Sequence, residues 1–455
     1  MVNQMSNTNQ NFMKTRPILP LVLSMAYPMV ISMLVNSLYN IIDSFYVAKI
    51  SEDAMTALSL VFPAQNLVTA VTVGFAIGIN AVIAYYLGMK KQNLANTAAT
   101  VGMILNLFHG LALSVICIGF MKPFLEQFTN KESIVDMGIS YSNVAFLFCI
   151  PIAVGISFEK IFQAVGQMKV SMISMMMGCI VNIVLDPMLI FGVGIFPRMG
   201  MEGAALATGI GQMTTLIIYV AIYLKTRKRM AVKITFSNME NIGMLVGKMY
   251  EIGIPATLNM ALPSVMVSVL NGLLATYSAA YVLVLGAYYK LQTFLYLTAN
   301  GIVQGMRPIC SYNYGAGEYK RVKGILKVGL ILITGVMVVG TILSLTVPSV
   351  LIGLFTENQE TVRLGAVALR IISIGFVVSG VSVAISGTLE GLGKGKESLA
   401  ISMTRYIVAI LPLAFLLSHF VGANGVWHAF WITEIIGAAL SVVLFACSMA
   451  GMTKK

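Results

Sequence analysis

The chain carries very little charge. Asp, Glu, Lys and Arg make up 10% of its 455 residues, and only 17 are acidic. A soluble chain has about 25% charged residues, so this one could not cover itself with polar surface in water. Cysteine is also sparse. Cys117, Cys149, Cys179, Cys310 and Cys447 all fall in apolar stretches without metal-type spacing, which suits small buried hydrophobes rather than a metal centre. No HExxH and no nucleophile elbow occurs, so no catalytic constellation argues for an enzyme, and none calls for a cofactor. The glycines of Gly391-Leu-Gly393-Lys-Gly395 lack the preceding strand and the Lys-Ser/Thr ending of a phosphate loop. The first sixteen residues are polar and carry no small-residue cleavage site, so no cleaved signal peptide is expected.

What the chain has in excess is apolar length. Hydrophobic residues reach 58% and mean hydropathy is +0.87. A helix needs roughly 20 apolar residues to cross a bilayer. Apolar runs between charged or Gly/Pro/Asn punctuation predict twelve spans, near 18–48, 55–87, 97–120, 136–165, 171–195, 203–224, 251–277, 281–311, 325–352, 363–391, 399–420 and 424–449. The runs are long and do not alternate, so they are helices and not barrel strands. The expected fold is an all-α membrane protein.

Charge placement orients it. With the N-terminus inside, nineteen of the 29 Lys and Arg fall in inner loops and tails, from Lys14 and Arg16 through the run Lys225–Lys248 to Lys454 and Lys455, and five fall in outer loops. This bias predicts cytoplasmic termini. It also explains the net charge of +12 without a nucleic-acid partner, since no folded basic face with aromatic platforms is evident.

An internal repeat organises the chain. A shift of 227 residues maps Pro28 to Pro255, Gly74 to Gly301, Gly78 to Gly305, Gly138 to Gly365, Gly166 to Gly393 and Ser171 to Ser398. Beyond the fifth span the shift becomes 222, mapping Gly200 to Gly422 and Gly203 to Gly425. Each half holds six spans, an even number, so the repeats are parallel. The expected organisation is an N-lobe at 1–224, a cytoplasmic linker at 225–250 and a C-lobe at 251–455. Two similar lobes suit alternating access better than a channel, for which one chain supplies no filter ring.

Several motifs then become specific. Asn40-Ile-Ile-Asp43-Ser-Phe-Tyr-Val47 with Pro28 fifteen residues earlier, Asn182-Ile-Val-Leu-Asp186-Pro187, Gly203-Ala-Ala-Leu-Ala-Thr208, and Pro308-Ile-Cys-Ser-Tyr-Asn-Tyr-Gly-Ala316 followed by Tyr319-Lys-Arg-Val322 resemble the multidrug and toxic compound extrusion (MATE) family in its bacterial form. The resemblance implies a twelve-helix, V-shaped exporter in the cell membrane. It would expel amphipathic, often cationic small molecules, driven by H⁺ or Na⁺, and is expected to act as a monomer.

The residues support a coupling site on their own terms. An ionisable group at mid-membrane costs several kcal/mol, on the order of 3 or more, so it faces protein or a wet cavity. Asp43, Asp186 and Thr208 reach similar depth in one lobe at about 1.5 Å per residue, and Asn182 shares a helix face with Asp186. Asn36, Tyr39, Asn40 and Asp43 form a polar stripe on a first helix that Pro28 bends. Hard oxygen ligands suit Na⁺, and two close carboxylates suit a shared proton. A purely structural hydrogen-bond network is the bland alternative.

In the second half, Lys290 and Glu434 are expected to pair or to line a substrate cavity with Arg307, a position where the family commonly has a neutral polar residue. Arg307 and Glu390 are expected to pair near the cytoplasmic end. Glu159, Lys160, Arg370 and Arg405 lie close enough to helix ends to snorkel, and His109 reads as a satisfied core histidine. The competing function is a flippase for a lipid-linked saccharide from the same broad superfamily, which would want a strongly cationic cavity.

Overall fold

A computed structural model describes residues 11–453. The first ten residues and the inward charges expected at Lys454 and Lys455 lie outside the described residues. Among the described residues there is no strand, and nine helices are long and apolar enough to cross a membrane. They are Ile18–Ala48, Glu52–Gly88, Gln92–Glu126, Met168–Phe191, Gly200–Thr226, Ile242–Ala275, Tyr319–Thr346, Gly395–Val421 and Ala423–Ala450. Two broken helices, Glu132–Leu147 with Cys149–Ala164 and Gln359–Ser373 with Phe376–Gly391, each make one further span. The 37-residue helix Ala279–Gly315 completes twelve, matching the expected fold. They are numbered first to twelfth in chain order below.

The ends of the helices follow from local chemistry. Ser51 accepts the Ala54 N–H at 3.0 Å and caps the second span, with Glu52 and Asp53 in the first turn, where carboxylates complement the helix dipole. The fifth span stops at Gly192, whose φ of 74° places it in the left-handed region. The fourth span bends by 44° at Phe148. Pro151 lies just beyond the break; it cannot donate to the Leu147 carbonyl, and its ring crowds that group. The tenth span bends by 54° one repeat later, at Gly375, where a Cβ would fall 2.9 Å from the Trp431 Cα.

The repeat is written into the turns atom by atom. After the second span, Met89 N–H donates to Tyr85 O and Lys91 N–H to Tyr86 O; after the eighth, Ala316 donates to Tyr312 O and Glu318 to Asn313 O, all at 2.9–3.0 Å. The left-handed residues in these turns, Lys90 and Gly317, stand one repeat apart, as do Gly166 and Gly393 after the fourth and tenth spans.

The chain forms two compact units that do not coincide with its sequence halves. Of the described residues, the first holds 11–15 together with Ile31–Thr257; the second holds Arg16–Val30 and 258–453. The first and seventh spans therefore each serve both units, and in each the change falls two residues after a proline, Pro28 or Pro255. Within the first unit, the start of the seventh span packs backbone-close on Gly74 and Gly78 of the second, against Thr257 and Met249. Within the second unit, the start of the first span packs on Gly301 and Gly305 of the eighth. A Cβ on these two would lie 2.7 Å from the Val30 Cα and 2.6 Å from the Ala26 Cα.

Candidate cation-coupling site

The first unit brings the expected coupling residues together. The fifth and sixth spans meet through glycines: a Cβ at Gly211 would sit 2.8 Å from the Gly178 carbonyl oxygen and 3.1 Å from the Asn182 Cβ. That close approach carries Asn182 to Thr208. The Asn182 amide donates to Asp186 Oδ1 at 3.2 Å and to Thr208 Oγ1 at 3.3 Å. Pro187 follows Asp186 inside the helix and denies the Ile183 carbonyl its usual donor, loosening the backbone beside the carboxylate.

Asp43 comes from the C-terminal half of the first span. It is buried, as are Asn182 and Asp186, and it lies within electrostatic reach of Asp186, Tyr39 and Tyr141. Three oxygens here are buried without any hydrogen-bond partner: Asp43 Oδ1, Asn182 Oδ1 and Asp186 Oδ2. Each such group costs about 1–3 kcal/mol, more for a charged one. A bound cation or proton relieves that cost directly. Among the described residues, no group of three or more His, Cys, Asp or Glu could hold a metal ion. Two carboxylates, a carboxamide and a hydroxyl are hard oxygen donors of the kind that suit Na⁺.

The polar stripe divides between two faces. Tyr39 and Asn36 are half-buried on the side of Asp43, whereas Asn40 is exposed. The Asn40 amide donates to Asn36 O at 2.8 Å and to Asn36 Oδ1 at 3.4 Å, and Ser44 donates to Asn40 O. Helix Ile18–Ala48 runs continuously through Pro28, which belongs to the second unit. Sequence reasoning missed Tyr141, a buried residue of the fourth span whose hydroxyl accepts from Gln65 Nε2 at 2.9 Å. A tyrosine in an apolar run carries no signal that separates packing from site. His109 sits against Phe75, with Nε2 2.9 Å from the Tyr250 hydroxyl.

The second unit holds two buried ion pairs, and one differs from expectation. Arg307 donates to Glu390 Oε2 at 2.6 Å, and Asn259 and Ser398 donate to Oε1. Glu434, however, does not pair with Lys290. It receives two bonds from Arg405, at 2.9 and 2.8 Å. Lys290 is exposed and lies over the Phe355 ring. The three residues considered for a substrate cavity thus have separate partners.

Arg405 does not snorkel either. It is buried and belongs to a π-helical turn, Thr404–Val408, whose wider winding shifts the rotational phase of the side chain. Glu159 and Lys160 also turn inward: Lys160 Nζ bonds Glu159 at 2.8 Å and Gln163 at 3.2 Å, and all three are buried. Arg370 alone of the four is exposed.

The repeat inverts side-chain size at one crossing. Gly178 faces Thr215 in the fifth and sixth spans. One repeat later Arg405 faces Gly437, where a Cβ would fall 2.8 Å from Arg405 Cγ.

The MatE family model matches the chain twice, over residues 28–188 and 255–416, with starts one repeat apart. The chain belongs to the MATE family. The multidrug export protein MepA of Staphylococcus aureus is 24% identical over 438 residues, covering 95% of this chain and 94% of that protein. Among solved structures, a MATE transporter in the straight conformation matches with a TM-score of 0.91 at 21% identity, covering 98% of this chain and 99% of the other. A MOP superfamily transporter from Pyrococcus furiosus, described as having a binding pocket of reverse polarity that suggests a different function, matches with the same score at 20% identity and the same coverage. At these identities the structural likenesses establish the MATE fold alone.

Proposed function

We propose that this MATE transporter is a secondary antiporter that exports amphipathic, often cationic small organic compounds in exchange for H⁺ or Na⁺ by alternating access. It needs no cofactor and acts as a monomer in a bacterial cell membrane. Both termini and the 225–250 linker face the cytoplasm, between lobes formed by 1–224 and 251–455. The observation that carries the reading is the trio of unpartnered buried oxygens on Asp43, Asn182 and Asp186 beside Thr208.

The coupling step follows from desolvation. With both carboxylates charged, the site has no countercharge in it. One H⁺ or Na⁺ entering from outside removes one of the two negative charges, and the cost of burying Asp43 falls. A change of a few kcal/mol, about 3 or more, reverses a two-state preference. Substrate and ion then compete for the first unit, which is the requirement for exchange. Lys290, Arg307 and Glu434 influence substrate range. The flippase reading is weaker, because Arg307 and Arg405 are each neutralised by a carboxylate and so are not free to hold a pyrophosphate.

The test is efflux of a fluorescent cationic dye from proteoliposomes under separately imposed H⁺ and Na⁺ gradients. Asp43→Asn keeps the size of the side chain but cannot titrate. It is expected to abolish gradient-driven export, with the protein still monodisperse by fluorescence size-exclusion. Near wild-type export by Asp43→Asn would refute the coupling site, and movement of lipid-linked sugar in place of dye would favour the flippase.

A further inference from the structure

The segment that follows the sixth span is held in place. Its backbone is bonded along one side of the third span's first turns: Lys233 N–H to Asn96 Oδ1 at 2.9 Å, Thr235 N–H to Thr100 Oγ1 at 3.0 Å, and Glu240 N–H to Thr97 Oγ1 at 3.4 Å. Gln92 Nε2 bonds the Ala231 carbonyl, and Ile234 N–H reaches the Tyr223 hydroxyl at 2.7 Å. Met230 and Val232 are buried beneath it. The segment is a docked strap.

Its outward side is basic. Lys225, Arg227, Lys228, Arg229 and Lys233 are all exposed, and none has a carboxylate partner among the described residues. Glu240 is the one acidic residue between positions 225 and 250. The strap begins where the apolar outer face of the sixth span ends: Ile217 and Leu224 are exposed on that helix, and Phe236 is 69% exposed on the strap itself. Exposed Ile and Leu on a spanning helix face acyl chains, so the next residues along the chain lie at headgroup depth.

We infer that this strap is a binding surface for anionic phospholipid headgroups. Topological bias alone asks for positive charge in the loop and says nothing about anchoring it. Here the charges are fixed on a bonded backbone, at the level of the phosphates, with an exposed aromatic ring beside them. Basic clusters immediately next to a spanning helix attract anionic lipid by about 1 kcal/mol per Lys or Arg, which is about fivefold in binding for each charge. Fixing them also lowers the ordering cost that a flexible tail would bear on binding. The inference is independent of the coupling ion and of the exported compound.

The experiment is native mass spectrometry of the full chain from micelles containing phosphatidylglycerol and phosphatidylcholine in equal amounts. Wild type is expected to retain phosphatidylglycerol preferentially. The variant Arg227→Gln/Lys228→Gln/Arg229→Gln should lose that preference by at least tenfold. An equal loss of charge at Lys320→Gln/Lys323→Gln/Lys327→Gln should change it less than twofold. Asn96→Ala/Thr100→Ala, which frees the strap while keeping every charge, should lower the preference severalfold in protein that remains monodisperse. Equal retention of the two lipids by wild type, equal effects of the two triple variants, or no effect of freeing the strap would each overturn the proposal.

Discussion

Replacing Glu434 by Gln removes the carboxylate that receives two bonds from Arg405, whose side chain is 5% exposed. The other groups near that guanidinium are neutral, the ring of Tyr406 lying 5.2 Å away, so the arginine is left as an uncompensated buried charge. Breaking a buried pair in this way costs about 3–5 kcal/mol. With an unfolding entropy of about 2 cal/mol/K per residue, a chain of this length loses on the order of 3–5 °C in Tm. Arg405→Met with Glu434→Leu removes both charges and is expected to recover most of the loss, because an apolar pair of similar volume does not bear the desolvation cost. Thermal unfolding followed by fluorescence size-exclusion in detergent reads both effects. A Glu434→Gln protein within about 1 °C of wild type would show that water or rearrangement already screens the pair, and the reasoning from burial would fail.

Two further outcomes are expected. Gly305→Leu should abolish monodisperse expression, because a Cβ there would lie 2.6 Å from the Ala26 Cα, while Gly243→Ala, with nothing within 4 Å, should express as wild type; equal expression of the two would refute the close packing. A cysteine at Asn238, in a background where the exposed Cys447 is replaced by Ser, should resist an impermeant maleimide in intact cells, and labelling from outside would invert the proposed topology.

The number and order of the spans were legible because charge and apolar length are one-dimensional quantities: the first span was read as 18–48 and is Ile18–Ala48. The seventh, read as 251–277, starts at Ile242, inside the stretch 225–250 expected to be linker, because a helix continues beyond its apolar run. The repeat was legible because turns spend glycine at fixed places, and Gly166 and Gly393 both adopt positive φ. The trio of Asn182, Asp186 and Thr208 was legible because helical spacing fixes a face and depth counting fixes a level. Partner choice was not. Distance from a helix end gave no sign that Arg405 points inward, since the π-turn at Thr404–Val408 changes the rotational phase that simple counting assumes. Lys290 and Glu434 share a depth, but depth does not specify an azimuth. Gln65 and Tyr141 meet across 76 positions of sequence, and no local pattern announces such a pair.

The first and seventh spans each begin in one compact unit and finish in the other. Gene fragments cut at the linker would therefore not encode self-sufficient modules. A product ending near residue 240 would present Gly74 and Gly78 bare, lacking the helix that belongs in their groove, and its own leading helix would have no Gly301–Gly305 track to lie along. Each fragment would carry a surplus helix half and want for one. During synthesis the first unit can close only after the chain has run past Thr257, well beyond the first six spans, and the second must keep the start of the first span waiting for the Gly301–Gly305 track of the eighth.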